Sequence, residues 1–164
     1  MAEPTVTLRE PSRRVSTRAR AMWQVSALVE GLMTFTVMAV ADGLIDDIDL
    51  PWWAFALAVA VHLLWAAVVP QWRYLVHRWE VTETAVYTQT GWWARERRIA
   101  PMSRIQTVDH AEGAVERIFR LATVTVTTAS AAGALRISGL DQDVARHLVD
   151  ELTLKADAVE GDAT

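Results

Sequence analysis

Two periods divide the chain. From Ala21 to about Ala41 nearly every position is apolar or small, with a single charge, Glu30. From Trp52 to Val69 there is no formal charge and one histidine, His62. Each run has the length that a helix needs to cross a hydrocarbon core of about 30 Å. Neither keeps a polar face, so two buried helices of a soluble core are the weaker reading: a chain this small could not cover them on all sides. A cleaved signal peptide fits no better. The first run begins some twenty residues in, is long, and leads into acids rather than a small-x-small cleavage site. The pattern predicts a transmembrane helical hairpin at 21–70, with helices at about 21–41 and 52–69.

Beyond Gln71 the period falls to two. Alternation over Leu75–Val81 and Ala85–Thr90 predicts strands, and Gly91 marks a turn. Further strands are expected at Ala94–Ala100, stopped by Pro101, and at Arg104–His110, where Ile105 and Val108 break strict alternation in the manner of a bulge. Leu121–Thr128 and Ala134–Ser138 complete the set. Gly113–Arg120 reads as a short amphipathic helix. Asp141 is placed to cap a longer one, whose Leu140, Val144, Leu148 and Leu152 form an apolar stripe. The fold class is therefore a membrane α-helical hairpin plus an α+β, mainly-β domain over 71–155, an antiparallel roll or partly open barrel capped by a C-terminal helix. A flexible basic tail is expected at 1–20 and a disordered acidic one at 156–164.

Charge orients the hairpin. Arg9, Arg13, Arg14, Arg18 and Arg20 precede the first span, and Arg73 and Arg78 follow the second. The loop 42–51 holds Asp42, Asp46, Asp47 and Asp49 and no basic residue. Basic residues favour the cytoplasmic side, so both termini are expected in the cytoplasm and the acidic loop outside. Trp23, Trp52, Trp53 and Trp72 fall at span ends, where indoles anchor at the interface.

Composition narrows the chemistry. The 164 residues include no cysteine, which removes disulfides, thiol catalysis and thiolate metal sites. Acids outnumber bases by 20 to 16, against a general nucleic-acid binder. His77, His110 and His147 begin no metal-ligand pattern, no glycine-rich phosphate loop is present, and Ser103, Ser130 and Ser138 lack a nucleophile elbow. The chain is expected to be no enzyme and to need no cofactor or metal.

Several segments taken together carry a resemblance. The run Val81–Gly91, then Arg97–Pro101, then Arg104-Ile105-Gln106-Thr107-Val108, the short helix Gly113–Phe119 and the strand Thr123–Ala129 resemble a bacterial pleckstrin-homology (PH) domain. With two spans in front, the chain is similar to the YdbS-like membrane proteins. It departs from their pattern at Arg120 and Ala122, where glycines often flank the leucine. The resemblance implies a sheet-rich roll used for binding rather than catalysis. In eukaryotic relatives of the fold a basic first hairpin loop holds inositol phosphates. The matching loop here, Thr82-Glu83-Thr84-Ala85, is acidic, so that activity is not carried over.

Four groups of residues stand out. Glu30 and His62 each lie about ten residues into their helices, which at the helical rise is about 15 Å from their own membrane face. Both are therefore near the midplane, where polar groups find partners. They are expected to contact one another, or to meet another subunit; a protonated Glu30 on a backbone carbonyl is the plain alternative. Ala27 with Gly31, Ala54 with Ala58, and Ala56 with Ala60 have the four-residue small spacing of packed membrane helices. Trp92 and Trp93 sit on a hairpin tip beside Arg95, Arg97, Arg98 and Arg104. They would suit an anionic membrane surface, unless one indole enters the core. The leading expectation, following the resemblance, is an accessory or scaffolding subunit in the bacterial inner membrane that binds an integral-membrane partner through its PH-like domain. A lipid sensor acting through Trp92, Trp93 and the arginines is a second reading. A minor subunit of a transporter or secretion apparatus, using Glu30 and His62, is a third.

Overall fold

In the computed structural model, residues 10–44, 51–129 and 133–161 are described. Helix α1 (Thr17–Leu44) and helix α2 (Trp52–Val76) form the hairpin. Their apolar windows are only 11% and 6% buried. That excludes the core of a soluble bundle and leaves lipid as their surroundings. The helices meet along one stripe each. Ala27 and Gly31 are buried on α1; Ala54 and Ala58 are half-buried on α2, two turns and one turn before His62, and Ala66 is buried one turn after it. Ala56 and Ala60 point away from this seam and are exposed. Phe35 closes the contact edge-on against Phe55, with ring centroids 5.8 Å apart, a favoured arrangement for aromatic pairs.

The domain holds two antiparallel sheets. Strands β1 (Arg13–Arg14), β2 (Arg78–Val81), β3 (Ala85–Thr90) and β4 (Glu96–Pro101) pair in that order. Strands β5 (Ile105–Ala111), β6 (Leu121–Thr128) and β7 (Leu135–Asp141) form the second sheet. The expected irregularity is there: the β5–β6 register slips between Ile105 and Thr107. A short helix, α3 (Ala114–Ile118), precedes β6, and helix α4 (Gln142–Gly161) lies across the second sheet. Ala145, Leu148 and Leu152 of α4 join Leu121, Val124, Val126 and Leu140 in one core. Each buried leucine contributes about 1.5–3 kcal/mol.

Several boundaries differ from the expected ones. Residues 71–76 are helical, so the strand expected from Leu75 begins at Arg78. The helix ends at His77, whose backbone N–H and ring Nδ1–H both donate to the Arg73 carbonyl, each at 2.9 Å, and so satisfy a carbonyl of the last turn. The basic tail expected to be flexible through Arg20 is structured from Arg13: β1 pairs with Trp79 and Arg78 of β2, and Val15 and Ala19 are buried. Ser16 caps α1, its Oγ accepting from the Arg18 N–H and donating to Asp141 Oδ1. Asp141 thus gives its carboxylate to the N-terminal segment. At the other end α4 runs on through Gly161, beyond the fraying expected from Ala156. Residues 1–9, with Arg9, 45–50, with Asp46, Asp47 and Asp49, 130–132, with Ser130, and 162–164 lie outside the described residues. Asp42 belongs to the last turn of α1.

Arg120 takes φ 56°. This is the left-handed conformation that a glycine adopts without cost. The turn is therefore kept by an arginine, at about 1–2 kcal/mol of backbone strain.

Candidate functional site

The intramembrane pair resolves differently from the expectation. His62 donates from Nε2 to the Ala27 carbonyl of the facing helix at 3.0 Å. Its ring packs between Phe35, met edge-on at 5.6 Å, and Trp65, tilted at 5.6 Å. A Cβ on Gly31 would overlap the His62 ring, so the glycine makes room for the histidine. Glu30 is exposed on α1 and is not His62's partner. The physical reason is angular: Glu30 sits one residue, about 100°, around the helix from Gly31, off the seam. Beside His62 an apolar groove of about 580 Å³ opens between the helices, lined by Leu28, Phe35, Val40, Phe55 and Leu63 among others.

The end of the hairpin that joins the domain is ringed by aromatics. The Arg73 guanidinium lies over the Trp23 indole at 4.2 Å, and Arg20 lies over Tyr74 at 5.9 Å. Each cation is attracted by the negative face of its ring. Trp23 also meets the His77 ring, 5.1 Å between centroids. His77 is buried, and desolvation, helped by the Arg73 charge, pushes its pKa down to about 4. The ring is neutral at physiological pH, with the Nδ1 proton fixed by the Arg73 carbonyl. Trp72, Trp52 and Trp53 are exposed on the helices, as interfacial indoles are.

The register carries Trp92 and Trp93 back to this same end. Chain leaving α2 enters β2 at Arg78, which pairs with Gln89 of β3; the turn after Thr90 therefore lies beside the end of the hairpin. Neither indole belongs to the core. Trp93 is 87% exposed and the two rings meet edge to face at 6.0 Å. Arg95 is exposed on the turn, whereas Arg97 donates from Nε to Gln89 Oε1 at 2.8 Å and is spent on the sheet. Ile118, also at the hairpin end of the domain, is 78% exposed and shares a shallow depression with Arg18 and Ala21 of α1. The acidic Thr82–Ala85 turn lies at the opposite end of β2, tied to α4 by Lys155 and Glu83 at 2.9 Å.

Between the β3–β4 hairpin and the second sheet, a polar cleft of about 690 Å³ opens. Arg73 and His77 reach it from the hairpin, Thr88, Thr90, Glu96 and Arg98 from the first sheet, and Thr123, Arg136 and Ser138 from the second. Glu116 Oε2 accepts the Gly113 N–H at 2.9 Å and Oε1 accepts the Thr123 hydroxyl at 2.7 Å. Arg98 donates to Glu96 at 2.6 Å and to the Ala134 carbonyl at 3.2 Å. No motif announces this cleft. Its residues come from four distant segments, and only the outward position of Arg136, between inward Leu135 and Ile137, is readable from the alternation. Among the described residues no group of histidine and acidic side chains could hold a metal ion.

The bacterial PH domain family matches residues 26–156 of this chain. The chain is 27% identical over 157 residues, covering 93% of its own length and 98% of the relative's, to the transmembrane protein YdbS of Bacillus subtilis (strain 168). No solved structure matches it. Two apolar helices, two antiparallel sheets and a closing helix agree with that match, and the chain belongs to the bacterial PH domain family as a transmembrane member.

Proposed function

We propose that the protein is a non-enzymatic accessory or scaffolding subunit of a complex in the bacterial inner membrane. Both of its termini lie on the cytoplasmic side and its PH domain is the binding platform. One observation carries this reading: the hairpin and the domain share a core. Val15, Ala19 and Met22 of the α1 segment are buried with β6 and β7 residues, and the Ser16 N–H donates to the Gly139 carbonyl at 2.9 Å. A domain fixed to its anchor presents its free sheet edges and α4 face in one orientation to neighbours in the membrane, as docking requires. The arginine-rich approaches to both spans favour the cytoplasmic side for that platform.

Lipid contact is the second reading, favoured by Trp92, Trp93 and Ile118, which are exposed on the side of the domain nearest the hairpin. Indoles at that level suit the headgroup layer, with Arg95 beside them for anionic lipid. Purification of the tagged full chain from its native membranes in mild detergent separates the two. A stoichiometric integral-membrane protein retained through size exclusion supports the subunit reading. A monomer carrying anionic lipid alone contradicts it and favours lipid contact.

A further inference from the structure

We infer that the polar cleft beside the end of α2 binds a phosphate group at the membrane surface, with Arg73 and Arg136 as its principal ligands. Three features carry this. First, the cleft holds three guanidiniums against two carboxylates, and both carboxylates are occupied. Glu96 is held by Arg98, and each oxygen of Glu116 already accepts a hydrogen bond. Second, Arg73 and Arg136 make no ion pair among the described residues. Arg73 is only stacked on Trp23, so its N–H fork is left for an anion, and guanidinium forks match phosphate oxygens. The hydroxyls of Thr90 and Ser138 add neutral donors to the same lining. Third, Arg73 directly follows Trp72, an exposed indole at the end of the span, and stacks on Trp23, which packs against the domain core, so the cleft stands where the hairpin meets the domain, at headgroup level, where phosphate is the abundant anion. Its volume is that of an ordinary small-ligand site.

The site is not the first hairpin loop used by other PH domains. That loop is acidic here and lies at the other end of the sheet. Nor does it depend on a protein partner being found. The phosphate can come from an anionic phospholipid or from a soluble anion, and the chemistry of the lining is the same for both.

Native mass spectrometry of the full chain in detergent, titrated with phosphatidylglycerol, phosphatidylcholine or inorganic phosphate, tests it. The wild type is expected to retain phosphatidylglycerol over phosphatidylcholine. Arg136→Gln, on an exposed strand position, should bind about ten-fold more weakly at an unchanged melting temperature. Arg146→Gln, on the exposed face of α4 and outside the cleft, should bind as wild type. Thr90→Val keeps side-chain volume and should lose about three-fold, which secures the test if Arg136→Gln folds poorly. If inorganic phosphate binds with the same Arg136 dependence and displaces the lipid, the ligand is a soluble phosphate. If it does not compete, the ligand is the headgroup. Equal binding of every probe by wild type and both cleft variants, or an equal loss in Arg146→Gln, overturns the site.

Discussion

Gly31 decides how the hairpin closes. Without a side chain there, His62 enters the seam and reaches a backbone carbonyl that already serves its own helix. Such a bond contributes about 0.6–2 kcal/mol in a membrane. The ring also fills space between Phe35 and Trp65. Gly31→Leu should push the ring out and cost about 1–3 kcal/mol through overpacking. That is read as a lower melting temperature of the detergent-solubilised chain by tryptophan fluorescence. Glu30→Gln should leave the melt unchanged, since Glu30 lies off the seam; a matching drop would restore it as a structural partner. The two polar residues were legible as unusual in their setting. The partner was not, because a backbone carbonyl is present at every position and leaves no mark in a sequence. The small-residue spacing at Ala27, Gly31, Ala54 and Ala58 did point to the seam; Ala56 and Ala60, with the same spacing, did not, since spacing alone cannot select the face.

At the scale of elements, the alternating strands were plain because each buries one face. The joints between elements were not. β1 is two arginines long and has no period of its own; it exists because Val15 and Ala19, just after it, are pulled into the core. α2 runs through the expected start of a strand because Leu75 and Val76 satisfy a helical period as well as a strand period. Gly139 makes the joint between α1 and β7. Its φ is +77°, and a Cβ there would stand 2.7 Å from the Ala19 Cβ. Gly139→Ala should therefore release the start of α1, at a backbone cost of about 1–2 kcal/mol before the clash is counted. Hydrogen exchange is the measurement. Protection should fall over residues 13–20 and persist around Gly31 in the membrane seam. Uniform loss along both helices would mean that the joint does not act locally.

For the molecule as a whole, the net charge of −4 conceals a separation. No arginine lies between Arg20 and Arg73, so every described arginine sits at the domain end of the hairpin or within the domain. Against that end lie the Trp92–Trp93 turn, the aromatic ring around Arg73 and the polar cleft. The anchor and the roll were legible as two materials. That they are one body was not, because the contacts joining them, Ser16 with Gly139 and Asp141 and Arg13 with Trp79, link residues more than sixty positions apart.

A docking platform of this kind requires that rigidity, and the absence of cysteine makes it directly measurable. Leu32→Cys on the lipid-facing side of α1 and Asp150→Cys on the exposed face of α4 would be the chain's only thiols. Spin labels at both sites, in a chain reconstituted into lipid nanodiscs, report the hairpin-to-domain distance by double electron–electron resonance. A single narrow distance distribution is predicted. A broad or multiple one would show a domain swinging on its anchor, and would contradict the account.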